Sequence, residues 1–245
     1  MVMQGESVRA VLLDMGGVVL HMAGGRGFPV ARLDWRGRQA MLQKIRAAGG
    51  RVTLDELEAL VFAPWQAEYG RRVELGREAD WRQHLDRLRR QSRCQFVDLD
   101  LLAAWFAPYG EQLVPLPGVR EALASLGNSD LKIALVSNVP LPGELYLPVL
   151  RRHGLVESFD HLVFSYDAGS RKPSPAMLRQ AMAAIDAVPA ETVMVGDRRD
   201  RDIAAGRLAG NRTIWIRSDD GGGPEPDATL DSLAALPELL EAWER

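Results

Sequence analysis

Short apolar runs and amphipathic stretches alternate along most of the chain. Residues 8–13 (VRAVLL) form a mostly apolar run that ends at Asp14 and is followed by Gly16 and Gly17. Such a run predicts a buried strand with a tight loop at its carboxyl end. Four more runs share this character: 132–137 (KIALVS), 161–165 (HLVFS), 191–196 (ETVMVG) and 212–216 (RTIWI). They are mostly apolar and do not alternate, as expected of strands covered on both faces. Helical periodicity separates them, over 119–126, 145–153, 175–187, 202–209 and 230–243. Strand and helix in alternation predict parallel strands with right-handed crossovers, hence an α/β fold with a doubly wound parallel sheet. Ligands of such sheets bind beyond the carboxyl ends of the strands.

Between about residues 28 and 114 the pattern changes to amphipathic stretches with no convincing strand. These cover 35–48, a segment opening at Thr53, 81–93 and 98–106. Thr53 and Glu56 have the spacing of a capping box, in which each side chain satisfies a backbone N–H of the other. The expected organisation is an α/β core domain of residues 1–28 and 114–245, interrupted by an all-helical domain of residues 29–113. Residues 219–226 (DDGGGPEP) predict a flexible loop.

Composition narrows the class. With 245 residues, 47% hydrophobic and 26% charged, the chain can bury a sizeable core and is not disordered, fibrous or disulfide-stapled. A net charge of -3 gives no global attraction to nucleic acid or anionic lipid. The basic run 82–93 is interleaved with Leu85 and Leu88 and balanced by Asp80 and Asp86, the pattern of a solvated helix face. The single cysteine, Cys94, excludes an internal disulfide and a thiolate metal cluster. No apolar stretch reaches the ~18 residues of a membrane span, and residues 1–13 lack the signal-peptide pattern, so a cytoplasmic protein is expected.

Four segments fall at the carboxyl edge of the predicted sheet: 14–20 (DMGGVVL), 136–139 (VSNV), 170–175 (SRKPSP) and 195–202 (VGDRRDRD). Asp14, where a strand opens into a glycine loop, suits either a turn cap or a nucleophile. Ser137 and Asn138 suit a turn or the donation of hydrogen bonds to phosphate. Lys172, restricted by Pro173, is either a solvated loop lysine or a cation at the ligand edge. Asp197, Asp200 and Asp202 lie in a loop between a strand and a helix, where two of them suit sharing a hard cation with Asp14, and Asp202 is also placed to cap the helix that follows. Together the segments supply a carboxylate, a hydroxyl, an ammonium and an acidic cluster, a set suited to phosphate held by a divalent ion.

In this order the segments resemble the four motifs of the haloacid dehalogenase superfamily of hydrolases. Residues 203–216 (IAAGRLAGNRTIWI) resemble the helix and strand that follow the family's acidic motif, and the helical insertion resembles its cap. The resemblance implies a Rossmann-like, HAD-like core and a Mg2+-dependent phosphatase acting on a small phosphorylated metabolite. It makes Asp14 the nucleophile, Lys172 the catalytic cation, and Ser137, Asn138 and Lys172 the phosphate-binding groups. Asp14, Asp197, Asp202 and the Gly16 carbonyl become the metal site, Asp202 acting through water.

Gly16 departs from the family pattern. Its position usually holds a second aspartate, which protonates the leaving oxygen and later activates water. Losing a general acid and base costs about 10²–10⁴ in rate. His21 or Asp200 replaces the acid, or the substrate has a good leaving group, or turnover is vestigial in a phosphate-binding or interaction protein. A 2-haloacid dehalogenase also lacks the paired aspartate but uses no metal, which would leave the acidic run 197–202 without a purpose. Residues 21–27 and the cap are expected to close over the leaving group. Trp35, Trp65, Trp81 and Trp105 suit helix packing or an aromatic pocket.

Overall fold

A computed structural model describes residues 7–24, 29–218 and 222–244. The expected loops 21–27 and 219–226 therefore lie partly outside the described residues. The strands are β1 (Ala10–Leu13), β2 (Leu20–Met22), β3 (Leu113–Pro115), β4 (Lys132–Ser137), β5 (His161–Phe164), β6 (Thr192–Gly196), β7 (Arg212–Ile216) and β8 (Ala228–Leu230). Six of them form one parallel sheet in the order β5-β4-β1-β6-β7-β8. The first strand is thus central, with Leu12 between Ala134 and Met194.

Successive side chains of a strand point to opposite faces, and the core divides accordingly. Val11, Leu13, Leu135 and Val195 belong to one apolar cluster; Leu12, Ala134, Val136 and Met194 belong to the other. All of β1 is buried, which is why its sequence is apolar without alternation.

Helices α1 (Val30–Ala47), α2 (Leu54–Leu57), α3 (Ala63–Glu74), α4 (Arg82–Ser92) and α5 (Asp98–Gly110) lie between β2 and β3, which pair antiparallel. The capping box is present: Glu56 N–H donates to Thr53 Oγ1 at 3.2 Å, and Thr53 N–H donates to Glu56 Oε2 at 2.7 Å. A π-helical turn, Glu58–Phe62, joins α2 to α3. Leu85 and Leu88 of α4 are buried while Arg82 pairs with Asp80 and Arg89 with Asp86. Trp65 stacks on Trp81 at 4.1 Å between ring centroids, and both meet Trp105. Trp35 stands apart, 56% exposed. Trp81 also ties the helices to the core by donating from Nε1 to the Pro140 carbonyl at 2.9 Å.

The remaining helices are α6 (Val119–Gly127), α7 (Leu147–Arg152), α8 (Ser165–Ala168), α9 (Ala176–Ala184), α10 (Ala204–Ala209) and α11 (Leu236–Trp243). Three expectations need correction. The predicted helix over 230–243 begins only at Leu236, because 228–230 is drawn into the sheet as β8. Thr213 N–H donates to Asp227 Oδ2 at 2.7 Å, and Asp227 N–H donates to the Thr213 carbonyl at 2.9 Å, pinning that segment beside β7. The helix expected from 202 starts at Ala204, preceded by a π-helical turn, Arg199–Ile203. The stretch 145–153 is divided into a 3-10 turn, Gly143–Leu145, and α7, where Pro148 sits in the first turn. No helix among the described residues is long and apolar enough to cross a membrane.

Candidate active site

Asp14 follows β1, Ser137 ends β4, Lys172 lies in the loop before α9, and Asp197 follows β6. Parallel pairing of β4, β1 and β6 puts these ends at one edge. A cavity of about 300 Å3 opens there, bordered by Asp14, Gly16, Ser137, Asn138, Lys172, Asp197 and Asp202. All seven positions expected from the sequence therefore meet in one place.

Lys172 is the hub. Its ammonium lies 2.6 Å from Asp14 Oδ1, 2.7 Å from Asp202 Oδ1 and 2.6 Å from the Val136 carbonyl oxygen. Both Lys172 and Asp202 are almost wholly buried, at 3% and 1% exposure. Burial alone would lower the lysine's pKa, but Asp14 and Asp202 overcome it and hold the group above its ordinary value. Asn138 fixes the same residue through its backbone. Its Nδ2 donates to the Lys172 carbonyl, and its Oδ1 accepts from the Lys172 N–H, both at 2.9 Å. The Asn138 side chain therefore has one amide hydrogen left for a ligand. Asp202 does not sit at the first turn of α10; its Oδ2 accepts from the Arg198 N–H at 2.9 Å, bracing the loop that carries Asp197.

The acidic groups fit a hard divalent cation. Asp14, Asp197 and Asp202 each offer a carboxylate oxygen, all within 4.8 Å of one another. Burial pushes Asp14 up to about 6; Lys172 draws it down and Asp202 raises it further. Burial likewise pushes Asp197 up to about 7, reinforced by Asp14 and Asp202. Asp14 and Asp197 thus favour protons, and an oxygen-seeking dication satisfies the same charge. Magnesium fits this donor set.

The two loop glycines differ. A Cβ on Gly17, whose φ is +78°, would lie 2.3 Å from Asp197 Oδ2, so only glycine lets Asp197 approach β1. A Cβ on Gly16 would meet nothing within 4 Å. Of the two groups considered as replacements for the acid, neither borders the cavity. His21 lies in β2, and Asp200 is engaged by Arg198 at 3.1 Å.

Sequence reasoning missed a buried network beside Lys172. Glu78, from the segment between α3 and α4, accepts hydrogen bonds from Arg171 and Ser165. The Arg171 N–H also donates to the Gly76 carbonyl at 2.9 Å. Arg171 had a signal in its position next to Lys172. Glu78 had none, since only tertiary packing buries it.

The fold and this constellation define a doubly wound α/β protein with a buried lysine–carboxylate site suited to a divalent cation. The haloacid dehalogenase-like hydrolase family profile matches residues 8–210, and the chain belongs to that family. It is 28% identical over 257 aligned residues to phosphoserine phosphatase of Thermus thermophilus, covering 91% of this chain and 94% of that one. It is 37% identical over 129 residues to the plasmid-borne phosphoglycolate phosphatase of Cupriavidus necator, covering 51% and 54%. The crystal structure of a HAD phosphatase from Thermococcus onnurineus superposes with a TM-score of 0.61 at 23% identity, over 95% of this chain and 98% of the other. A 2-haloacid dehalogenase from Pseudomonas syringae pv. Tomato gives 0.61 at 20% identity, over 96% and 99%; at these identities the two structures speak to the fold alone. The curated relatives support phosphatase-type hydrolysis.

Proposed function

We propose that this protein is a magnesium-dependent hydrolase of a small phosphate monoester, acting through an aspartyl-phosphate on Asp14. The observation that carries the reading is the buried chain Asp14–Lys172–Asp202 at the ligand edge of the sheet, with Asp197 beside it. Asp14, Asp197 and the Gly16 carbonyl would hold the ion, and Asp202 would support it. Magnesium, when bound, would supply neutralisation of the phosphoryl charge, which together with positioning is most of what phosphoryl transfer needs.

An Asp14 oxygen attacks phosphorus, the ester P–O bond breaks, and its electron pair leaves with the substrate oxygen. Water then cleaves the aspartyl-phosphate, giving inorganic phosphate and the free carboxylate. Lys172 keeps Asp14 ionised and aimed, while Ser137 and Asn138 donate to phosphate oxygens. Residues 29–113 act as a cap over the core of 1–28 and 114–245. Two relatives are named for phosphoserine and phosphoglycolate, which supports a small phosphorylated metabolite as substrate.

The test is phosphate release from a panel of phosphate esters with magnesium and with chelator, beside Asp14→Asn. Metal-dependent release that Asp14→Asn abolishes is expected. No release above that variant on any ester, with magnesium still bound, would favour the second reading, a phosphate-binding protein. That reading rests on Gly16, which supplies no side chain to the cavity.

A further inference from the structure

A second cavity of about 320 Å3 lies against the catalytic one, and Tyr109, Pro140 and Tyr146 border both. Val30, Leu33, Trp105, Phe106 and Leu141 complete its apolar wall. Its rings form a connected surface: Phe106 lies 4.7 Å from Tyr146 and 5.9 Å from Tyr109 between centroids. Among the described residues of the lining the one charged group, Asp34, is already engaged. It accepts from Trp105 Nε1 at 2.9 Å and pairs with Arg38 at 2.8 Å. A hydroxyl or carboxylate placed in this cavity would leave water for a wall with little to offer it, whereas an apolar ring gains from the transfer.

An independent observation concerns the leaving oxygen. Gly16 presents no acid, and the space where a side chain would stand is open. Among leaving groups, a phenol of the tyrosine kind ionises near pH ~10. An alkoxide resembles hydroxide, whose parent water has a pKa of about 15.7. A phenolate therefore leaves without a proton donor far more readily than an alkoxide does.

Resting on the phosphatase reading above, we propose that the substrate is an aryl phosphate, its phosphate in the catalytic cavity and its aromatic ring against Leu33, Trp105, Phe106 and Tyr146. Asp14 forms its bond to phosphorus as the P–O(aryl) bond breaks; the phenolate departs with the electron pair and is protonated by water. The missing acid and the apolar cavity are then two parts of one specificity.

The experiment compares 1-naphthyl phosphate, glycerol 2-phosphate and acetyl phosphate on the magnesium-loaded full chain. Acetyl phosphate has an activated leaving group and no ring, so it reports the phosphatase itself. A kcat/KM for 1-naphthyl phosphate at least ~100-fold above that for glycerol 2-phosphate is expected. Val30→Asp, at a position 48% exposed, is expected to raise KM for 1-naphthyl phosphate about tenfold relative to KM for acetyl phosphate. Leu33→Trp, which fills the cavity, is expected to do the same, with thermal unfolding as the control for folding. Equal kcat/KM on the naphthyl and glycerol esters, or equal KM shifts on the naphthyl and acetyl substrates, would overturn the aryl assignment and leave the phosphatase standing. Acetyl phosphate turnover no higher than that of Asp14→Asn would overturn both.

Discussion

The Lys172 ammonium lies 2.6 Å from Asp14 Oδ1, although 158 positions separate the two residues in the chain. The same nitrogen reaches Asp202 at 2.7 Å. Lys172→Met would leave two buried carboxylates without their counter-charge, a change that costs about 3–5 kcal/mol when one partner of a buried pair is removed. Urea denaturation of the metal-free protein should show that loss, and phosphate release should disappear. Lys172→Arg should not restore it, because a planar guanidinium cannot take the place of a compact ammonium among three acceptors. Unchanged stability in Lys172→Met would show that the ion chain contributes nothing to the fold.

Neighbouring glycines should respond oppositely to substitution. Gly16→Asp places a carboxyl where nothing lies within 4 Å of the new Cβ. It should raise turnover of alkyl phosphates by up to about 10²–10⁴ with little change in melting temperature. Gly17→Ala forces a Cβ to 2.3 Å from Asp197 Oδ2 at a positive φ. It should weaken magnesium binding and lower the melting temperature. Rates on glycerol 2-phosphate and calorimetric magnesium titrations separate the two, and a harmless Gly17→Ala would contradict the close approach.

Metal-free stability should depend on pH in an unusual direction. Burial raises Asp14 to about 6 and Asp197 to about 7 from the ordinary aspartate value of 3.8. The folded state therefore binds more protons than the unfolded state between these limits, so stability falls as pH rises through roughly 4 to 7. Magnesium competes with those protons, and its stabilising effect should grow over the same window. Melting curves with magnesium and with chelator at pH 5.5 and 8 test both signs. Stability that rises with pH in chelator would refute this picture.

The contact between the helical segment and the core should behave as one coupled unit. Glu78 and Arg171 are both buried and joined, and Ser165 donates to the same Glu78 oxygen. Burial raises the Glu78 pKa despite Ser165 and Arg171, which pull it down. Glu78→Ala and Arg171→Ala should each cost about 3 kcal/mol. The double variant should cost clearly less than the sum, with a coupling of about 1–3 kcal/mol. Additive losses would mean that the two charges are stabilised separately.

Much of this architecture was legible in the chain. Lys132–Ser137 and Arg212–Ile216 have the strand bounds their mostly apolar runs predicted, because a strand covered on both faces reads as a near-continuous apolar run without alternation. Thr53 with Glu56 announced a helix start by local hydrogen bonding alone. The order of the four polar segments marked one edge of the sheet, since parallel strands bring their carboxyl ends together.

Other features depended on partners distant in sequence. Leu230, which local periodicity placed at the start of a helix, ends a strand because 228–230 pairs with β7 and Asp227 bonds to Thr213. The role of Asn138 as a clamp on Lys172 came from a contact across 34 positions. Glu78 carries no local sign of burial, and the cavity shared by Tyr109 and Tyr146 exists only where α5 and the loop before α7 converge. Local pattern thus determined the elements and the chemistry at their ends, because periodicity and hydrogen bonding act within a few residues. Tertiary packing alone decided which charges were buried together and which cavity stands beside them, because burial and cavity shape are set by residues far apart in the chain.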